Sequence, residues 1–124
     1  MNRRTKRVLI IDDEKDFGFF LKHNLVSTGE FTVDYVQNPQ KGIQLARRKR
    51  PDVILLDIRM PSKDGITVLE ELKGGARTLG IPVIMVTALE DEALKIKASG
   101  SYAQDYLVKP VGYETVREKI NEIV

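Results

Sequence analysis

With 124 residues, of which 42% are hydrophobic and 31% charged, the chain is long enough for one domain with a core and too short for two. It has no cysteine and one histidine, which excludes disulfides and thiolate chemistry and argues against a histidine-rich metal site or a serine–histidine triad. The net charge of +2 is too small to indicate nucleic-acid binding, and without a membrane-spanning apolar run or a secretion signal we expect a cytoplasmic protein.

In chain order, short apolar runs alternate with stretches of helical periodicity. The first helical stretch has apolar residues at positions i, i+3, i+4 and i+8, which predicts a buried face formed by Phe17, Phe20, Leu21 and Leu25. Asn38 and Pro39 are typical of an N-cap and of the first helical position. The predicted elements are strand 7–11, helix 14–28, strand 32–36, helix 39–49, strand 53–56, helix 64–73, strand 82–86, helix 90–99, strand 105–108 and helix 113–124.

Five strand–helix units indicate an α/β fold, because parallel strands need crossover connections that place helices on the faces of the sheet. The continuously apolar strands are typical of a sheet that is buried on both faces. We predict a single doubly wound (βα)5 domain over residues 1–124, with a five-stranded parallel sheet in the flavodoxin-like order 2-1-3-4-5.

Polar residues stand where the predicted strands end. The carboxyl ends of parallel strands form one edge of the sheet, and ligands bind outside that edge where the strand order reverses. We therefore expect the polar side chains at these ends to converge on one pocket: Asp12 and Asp13 after the first strand, Asp57 after the third, Thr87 after the fourth and Lys109 after the fifth.

Three carboxylates in one pocket repel one another, and burial raises their pKa values further. A divalent cation would remove that repulsion, and oxygen ligands without His or Cys favour magnesium, calcium or manganese over zinc. A carboxylate beside such an ion, with a lysine and a hydroxyl opposite, is suited to accept a phosphoryl group. The pocket therefore predicts that one of these carboxylates accepts a phosphoryl group.

These motifs, in this order and at this spacing, resemble the receiver domain of two-component response regulators, and the resemblance covers essentially the whole chain. The segments that carry it are Asp12-Asp13, Leu55-Leu56-Asp57, Met60-Pro61, Asp64-Gly65, Thr87-Ala88 and Tyr106-Leu107-Val108-Lys109-Pro110. The resemblance implies a phosphoacceptor module of a phosphorelay, with Asp57 as the phosphoacceptor. Such a module has no turnover substrate and catalyses only its own phosphorylation and slow dephosphorylation.

The resemblance also implies a metal site. Asp13, Asp57 and the main-chain carbonyl of Arg59 would bind magnesium directly, and Asp12 would act largely through water. Manganese or calcium could substitute for magnesium.

Three further residues have roles that the resemblance implies. Lys109 would bind the phosphoryl group, and the Lys109–Pro110 peptide bond would be cis. Thr87 would move toward the phosphoryl group after transfer, and Tyr106 would rotate inward behind it. The shift would reach the face formed by the predicted fourth helix, the fifth strand and the last helix.

The implied partners are a sensor histidine kinase or a histidine phosphotransfer protein, and a second copy of the chain bound through that same face. Nucleic acid would be contacted only through an effector domain, which this chain does not contain. Three residues bear on these expectations. Tyr102 stands where the family usually has glycine, which leaves the dimer mode open. Arg59 and Leu89 occupy the two positions beside the pocket that tune phosphoryl lifetime in the family; Leu89 cannot orient an attacking water and Arg59 could shield the phosphoryl group, so we expect slow self-dephosphorylation.

Alternatives remain at this point. A degenerate receiver could act as a docking module alone, although no acidic residue, Thr or Lys of the motif is lost. A haloacid-dehalogenase-type phosphatase also uses an Asp, magnesium, Thr and Lys, but it needs a second Asp two residues after its nucleophile, where this chain has Arg59. The patch around Asp16, Phe19 and Phe20 is either an ordinary helix rim or part of the kinase docking surface.

Overall fold

A computed structural model describes residues 4–88 and 103–124 of the chain. The predicted helix 90–99, Leu89 and Tyr102 lie outside the described residues. Strands and helices alternate in the described ranges, and the four helices include none long and apolar enough to cross a membrane. The elements are β1 (Lys6–Ile11), α1 (Lys15–Ser27), β2 (Phe31–Val36), α2 (Pro39–Lys49), β3 (Val53–Asp57), α3 (Gly65–Gly74), β4 (Val83–Ala88), β5 (Asp105–Lys109) and the C-terminal helix (Tyr113–Ile123).

The five strands form one parallel sheet in the order β2-β1-β3-β4-β5, which confirms the predicted topology. Strand order reverses between β1 and β3, because β2 lies outside β1 while the later strands continue on the far side of β3. Ile11, the last residue of β1, pairs with Leu56, so Asp12 and Asp57 continue side by side beyond that pair. The reversal point is where open parallel sheets bind ligands.

Apolar residues alternate between the two faces of the sheet, as a period of two requires. In β1, Leu9 and Ile11 belong to one buried cluster, and Val8 and Ile10 belong to the other. The first cluster contains residues of α2 and α3, and the second contains residues of α1 and the C-terminal helix. Helices therefore cover both faces, which explains why the strands are continuously apolar.

Two helices begin at side-chain caps. Asn38 precedes α2, and its side chain accepts a hydrogen bond from the Lys41 amide at 3.0 Å, which confirms the predicted N-cap. Asp64 does the same for α3, where it accepts from the Thr67 amide at 2.9 Å. Each cap satisfies one of the amides left without a partner in a first helical turn.

The predicted buried face of α1 is wrong at one residue. Phe20 is 47% exposed, whereas Gly18, Leu21 and Leu25 are buried. A Cβ at Gly18 would overlap the ring of Tyr35, which fills the space beside the helix backbone. The glycine lets the helix lie against that ring, and this rotates the apolar face away from Phe20.

The start of α3 lies unusually close to the end of β3. The Gly65 amide donates to the Ile58 carbonyl oxygen at 2.6 Å, and a Cβ at Gly65 would overlap the carbonyl oxygen of Asp57. Both neighbouring atoms belong to the main chain, so they cannot move aside as the tip of a side chain could. Gly65 is therefore part of what holds Asp57 in place.

We expect Gly65→Ala to lower the free energy of unfolding by about 1–3 kcal/mol, because overpacking against main chain forces a backbone shift. Gly74→Ala is a matched control in the same helix, since a Cβ there meets nothing within 4 Å. That control should be neutral or should stabilise by up to about 1 kcal/mol. Urea unfolding of both variants measures the difference, and equal stabilities would contradict the close approach.

Candidate functional site

Three carboxylates meet at the carboxyl edge of the sheet. Asp12 and Asp13 follow β1, Asp57 ends β3, and each residue offers an oxygen atom within 4.8 Å of the others. Asp12 and Asp57 are buried, while Asp13 is half-buried and accessible from outside. Because these oxygens converge from two adjacent strands, they could hold one divalent cation between them.

The electrostatics of the cluster are unfavourable without a counter-charge. Burial, followed by the negative charge of Asp12, raises the pKa of Asp57 to about 7; Lys109 opposes the rise and Asp13 adds to it. Burial also raises the pKa of Asp12, although the Glu14 amide and Lys109 act in the opposite direction. A cation would favour the charged form of both groups.

Lys109 supplies a positive charge close to the acids. Its Nζ atom lies 3.0 Å from Asp12 Oδ2 and 3.9 Å from Asp57 Oδ1. Its shortest contact is to Glu14 Oε1, at 2.6 Å. Burial disfavours the charged lysine, but the pairing with Glu14, Asp12 and Asp57 outweighs it and raises the pKa of Lys109. Glu14 is a residue that the sequence did not indicate.

Two hydrogen bonds to Asp12 hold the loop that carries the acids. The Tyr35 hydroxyl donates to the Asp12 carbonyl oxygen at 2.7 Å, and the Glu14 amide donates to Asp12 Oδ1 at 2.9 Å. Burial and the charges of Asp12 and Asp13 raise the pKa of Tyr35 to about 12, so the hydroxyl remains a donor. The Tyr35 ring also meets Phe19 edge to face, with 5.5 Å between centroids. From the sequence, Tyr35 is expected only to be a residue of the second strand.

The remaining predicted residues lie on β4, on β5 and in the loop after β3. Thr87 is fully buried on β4, one residue beyond Val86, which pairs with Asp57. Tyr106 is half-buried on β5 and packs against the apolar cluster that contains α2 and α3. Arg59 is exposed in the loop after β3. It lines a surface depression next to the acids, together with Asp13, Ile58, Met60, Pro61 and Asp64.

The Lys109–Pro110 peptide bond is cis, as the resemblance implied. The ends of the strands bring Asp12, Asp13, Asp57 and Lys109 together as predicted. Thr87 adjoins the register partner of Asp57, and Tyr106 lies further back, where its side chain contacts the core.

Comparison with known proteins gives close relatives in sequence. The family model of the response regulator receiver domain matches residues 8–121. PilH of Pseudomonas aeruginosa is 37% identical over 118 residues, which cover 95% of this chain and 97% of that protein. The transcriptional regulator RpaA of Synechocystis is also 37% identical, and IrlR of Burkholderia pseudomallei is 34% identical. The chain spans only about half the length of these two regulators, 48% and 50%.

Solved structures show the same architecture. The response regulator domain of Thermotoga maritima CheB is 31% identical and superposes with a TM-score of 0.85, over 97% of this chain and 96% of that one. Vibrio cholerae CheY4 has a TM-score of 0.90 over 98% of this chain and 100% of that one, and at 23% identity it shares the fold alone. Because the sequence match and the shared architecture both extend over nearly the whole chain, the chain belongs to the family of response regulator receiver domains.

Proposed function

We propose that Asp57 accepts a phosphoryl group from the phosphohistidine of a sensor histidine kinase or a histidine phosphotransfer protein, in a magnesium-dependent reaction. The observation that carries the proposal is the buried Asp57 carboxylate, which lies within 4.8 Å of two further carboxylates and 3.9 Å from the Lys109 ammonium. Membership of the receiver family supports the partner class.

In the transfer, a carboxylate oxygen of Asp57 attacks the phosphorus atom and forms a P–O bond. The P–N bond to the histidine breaks, and its electron pair remains on the imidazole nitrogen, which takes up a proton. The Lys109 ammonium lies 3.9 Å from Asp57 and would pair with an oxygen of the phosphoryl group. Phosphoryl transfer depends mainly on how the reacting groups are positioned and on how the charge of the transferring group is stabilised.

The donor set fits magnesium. Magnesium binds one or two carboxylates and completes its shell with water and phosphate oxygens, and all three acids offer oxygens within 4.8 Å. Asp13, Asp57 and the main-chain carbonyl of Arg59 would bind it directly, and Asp12 would act through water. When bound, magnesium would neutralise charge on the transferring group. Manganese and calcium also take oxygen ligands and would substitute.

The switch proposed for this domain uses Thr87 and Tyr106. Thr87 is buried one residue beyond the register partner of Asp57, so its hydroxyl would need only a short movement to reach a phosphoryl oxygen. Tyr106 already contacts the core and would turn further inward as Thr87 moves. Phosphorylation would then shift the population of conformations at β5 and the C-terminal helix.

Partner surfaces follow from exposure. Phe19 and Phe20 are both exposed on α1 beside the acidic loop, which supports this patch as part of the kinase docking surface.

A homodimer through the face that includes β5 and the C-terminal helix, and contact with DNA through an effector domain, remain proposals. So does slow self-dephosphorylation through Arg59 and Leu89. We also propose that residues 1–124 form one domain without turnover catalysis. Neither the phosphatase nor the docking-module alternative is favoured, since the acids and Lys109 are all present and converge.

Incubation with a small phosphodonor and magnesium should add one phosphoryl group to the protein, which intact mass spectrometry measures. Asp57→Asn should remove the mass gain, because the amide is not a nucleophile comparable to the carboxylate. Asp52→Asn is a control at the opposite edge of the sheet, where Asp52 accepts the Arg7 amide. An unmodified wild type, or an equally modified Asp57→Asn protein, would overturn the proposal.

Magnesium should raise the melting temperature of the unphosphorylated protein, because the ion binds the folded carboxylate cluster and not the unfolded chain. A hundredfold excess over the dissociation constant would stabilise by about 2.7 kcal/mol. Asp13→Asn should stabilise the metal-free protein, since it relieves repulsion, and should remove most of the magnesium response. Glu70→Gln, an exposed change on α3, should leave both values unchanged. Calorimetry with and without chelator gives the comparison, and a full magnesium response in Asp13→Asn would exclude this ligand set.

A further inference from the structure

The lysine assigned to the phosphoryl group is held elsewhere in the unphosphorylated domain. An ammonium group has three N–H donors and no acceptor. Lys109 Nζ lies 2.6 Å from Glu14 Oε1 and 3.0 Å from Asp12 Oδ2, whereas Asp57 Oδ1 is at 3.9 Å, beyond hydrogen-bond range. The shortest of these contacts is therefore made to a residue outside the acid cluster.

Glu14 and Phe17 form a place that holds the Lys109 ammonium on the α1 side of the pocket. Glu14 accepts from Nζ on one side, and the Phe17 ring lies below it, 4.6 Å from Nζ to the ring centroid. A ring face attracts a cation at this distance. The residues that form this place come from the start of the chain, 95 positions away from Lys109 in the case of Glu14. The position is therefore set by tertiary structure and not by the local backbone of β5.

Glu14 can give up this contact easily. Its side chain is 62% exposed, and exposed ion pairs contribute little because water solvates both charges. Its side chain also makes no capping hydrogen bond to α1, although it stands at the N-cap position. A phosphoryl group on Asp57 carries more negative charge than one carboxylate and would attract Lys109 away from Glu14.

We propose that Glu14 is a positioning residue that holds Lys109 away from Asp57 in the unphosphorylated domain and competes with the phosphoryl group for it. This inference rests on the proposed function of Asp57. Glu14 thereby sets how readily the domain takes up a phosphoryl group, without touching that group itself. Without that carboxylate, Lys109 would keep its contact with Asp12 and could turn toward Asp57.

The test compares Glu14→Gln and Glu14→Ala with Glu70→Gln, which removes an exposed carboxylate on α3. Binding of beryllofluoride, a phosphoryl mimic, is measured by NMR titration in magnesium. Both Glu14 variants should bind it roughly two- to fivefold more tightly, the range expected for one exposed ion pair. An equal gain in Glu70→Gln would show a general charge effect and overturn the proposal, as would unchanged binding in both Glu14 variants.

A second measurement uses the unphosphorylated, metal-free protein and separates this inference from the function on which it rests. The NMR signal of the Lys109 side chain should shift, and its ammonium protons should exchange faster with water, in Glu14→Gln but not in Glu70→Gln. An identical Lys109 signal in wild type and Glu14→Gln would overturn the positioning role alone. A different outcome is a wild type that binds no beryllofluoride while its Lys109 signal differs from that of Glu14→Gln. That result would overturn the proposed function and this inference with it.

Discussion

Mutual repulsion among the carboxylates of Asp12, Asp13 and Asp57 is the constraint on which the rest of the structure depends. The sheet brings their oxygens within 4.8 Å of one another, and burial raises the pKa of Asp57 to about 7. Such a cluster opposes folding unless other interactions compensate for it. The compensation comes from the continuously apolar strands and the helices that cover both faces of the sheet. The acid cluster thus lowers the stability of the domain, and packing on both faces of the sheet offsets that loss, as is common where function needs charge.

Much of the fold and the acid cluster could be predicted from the sequence, and the reason is the regularity of parallel sheets. Once the strands were assigned, their carboxyl ends had to share one edge, so Asp12, Asp57 and Lys109 had to approach one another. The N-cap at Asn38 was equally predictable, because it depends on residues within one helical turn. Spacing and local chemistry were sufficient for both.

What could not be predicted depends on contacts between distant segments. Helical periodicity placed Phe20 on the buried face of α1, but the Tyr35 ring beside Gly18 decides which face is buried, and that ring belongs to β2. The role of Glu14 was missed for the same reason. Its position after the acidic pair was visible in the sequence, yet its contact with Lys109 depends on how the loop after β1 turns toward the end of β5. The periodicity of the sequence contains no information about the contact between Gly18 and Tyr35 or about the contact between Glu14 and Lys109.

Tyr35 has a consequence beyond packing. One edge of its ring meets Phe19 on the outer surface of α1, and its hydroxyl holds the carbonyl of Asp12 at the bottom of the acidic loop. Because the ring is rigid, one planar group joins the outer surface of α1 to the main chain of the acidic loop. In mechanical terms Tyr35 is a strut between Phe19 at the protein surface and Asp12.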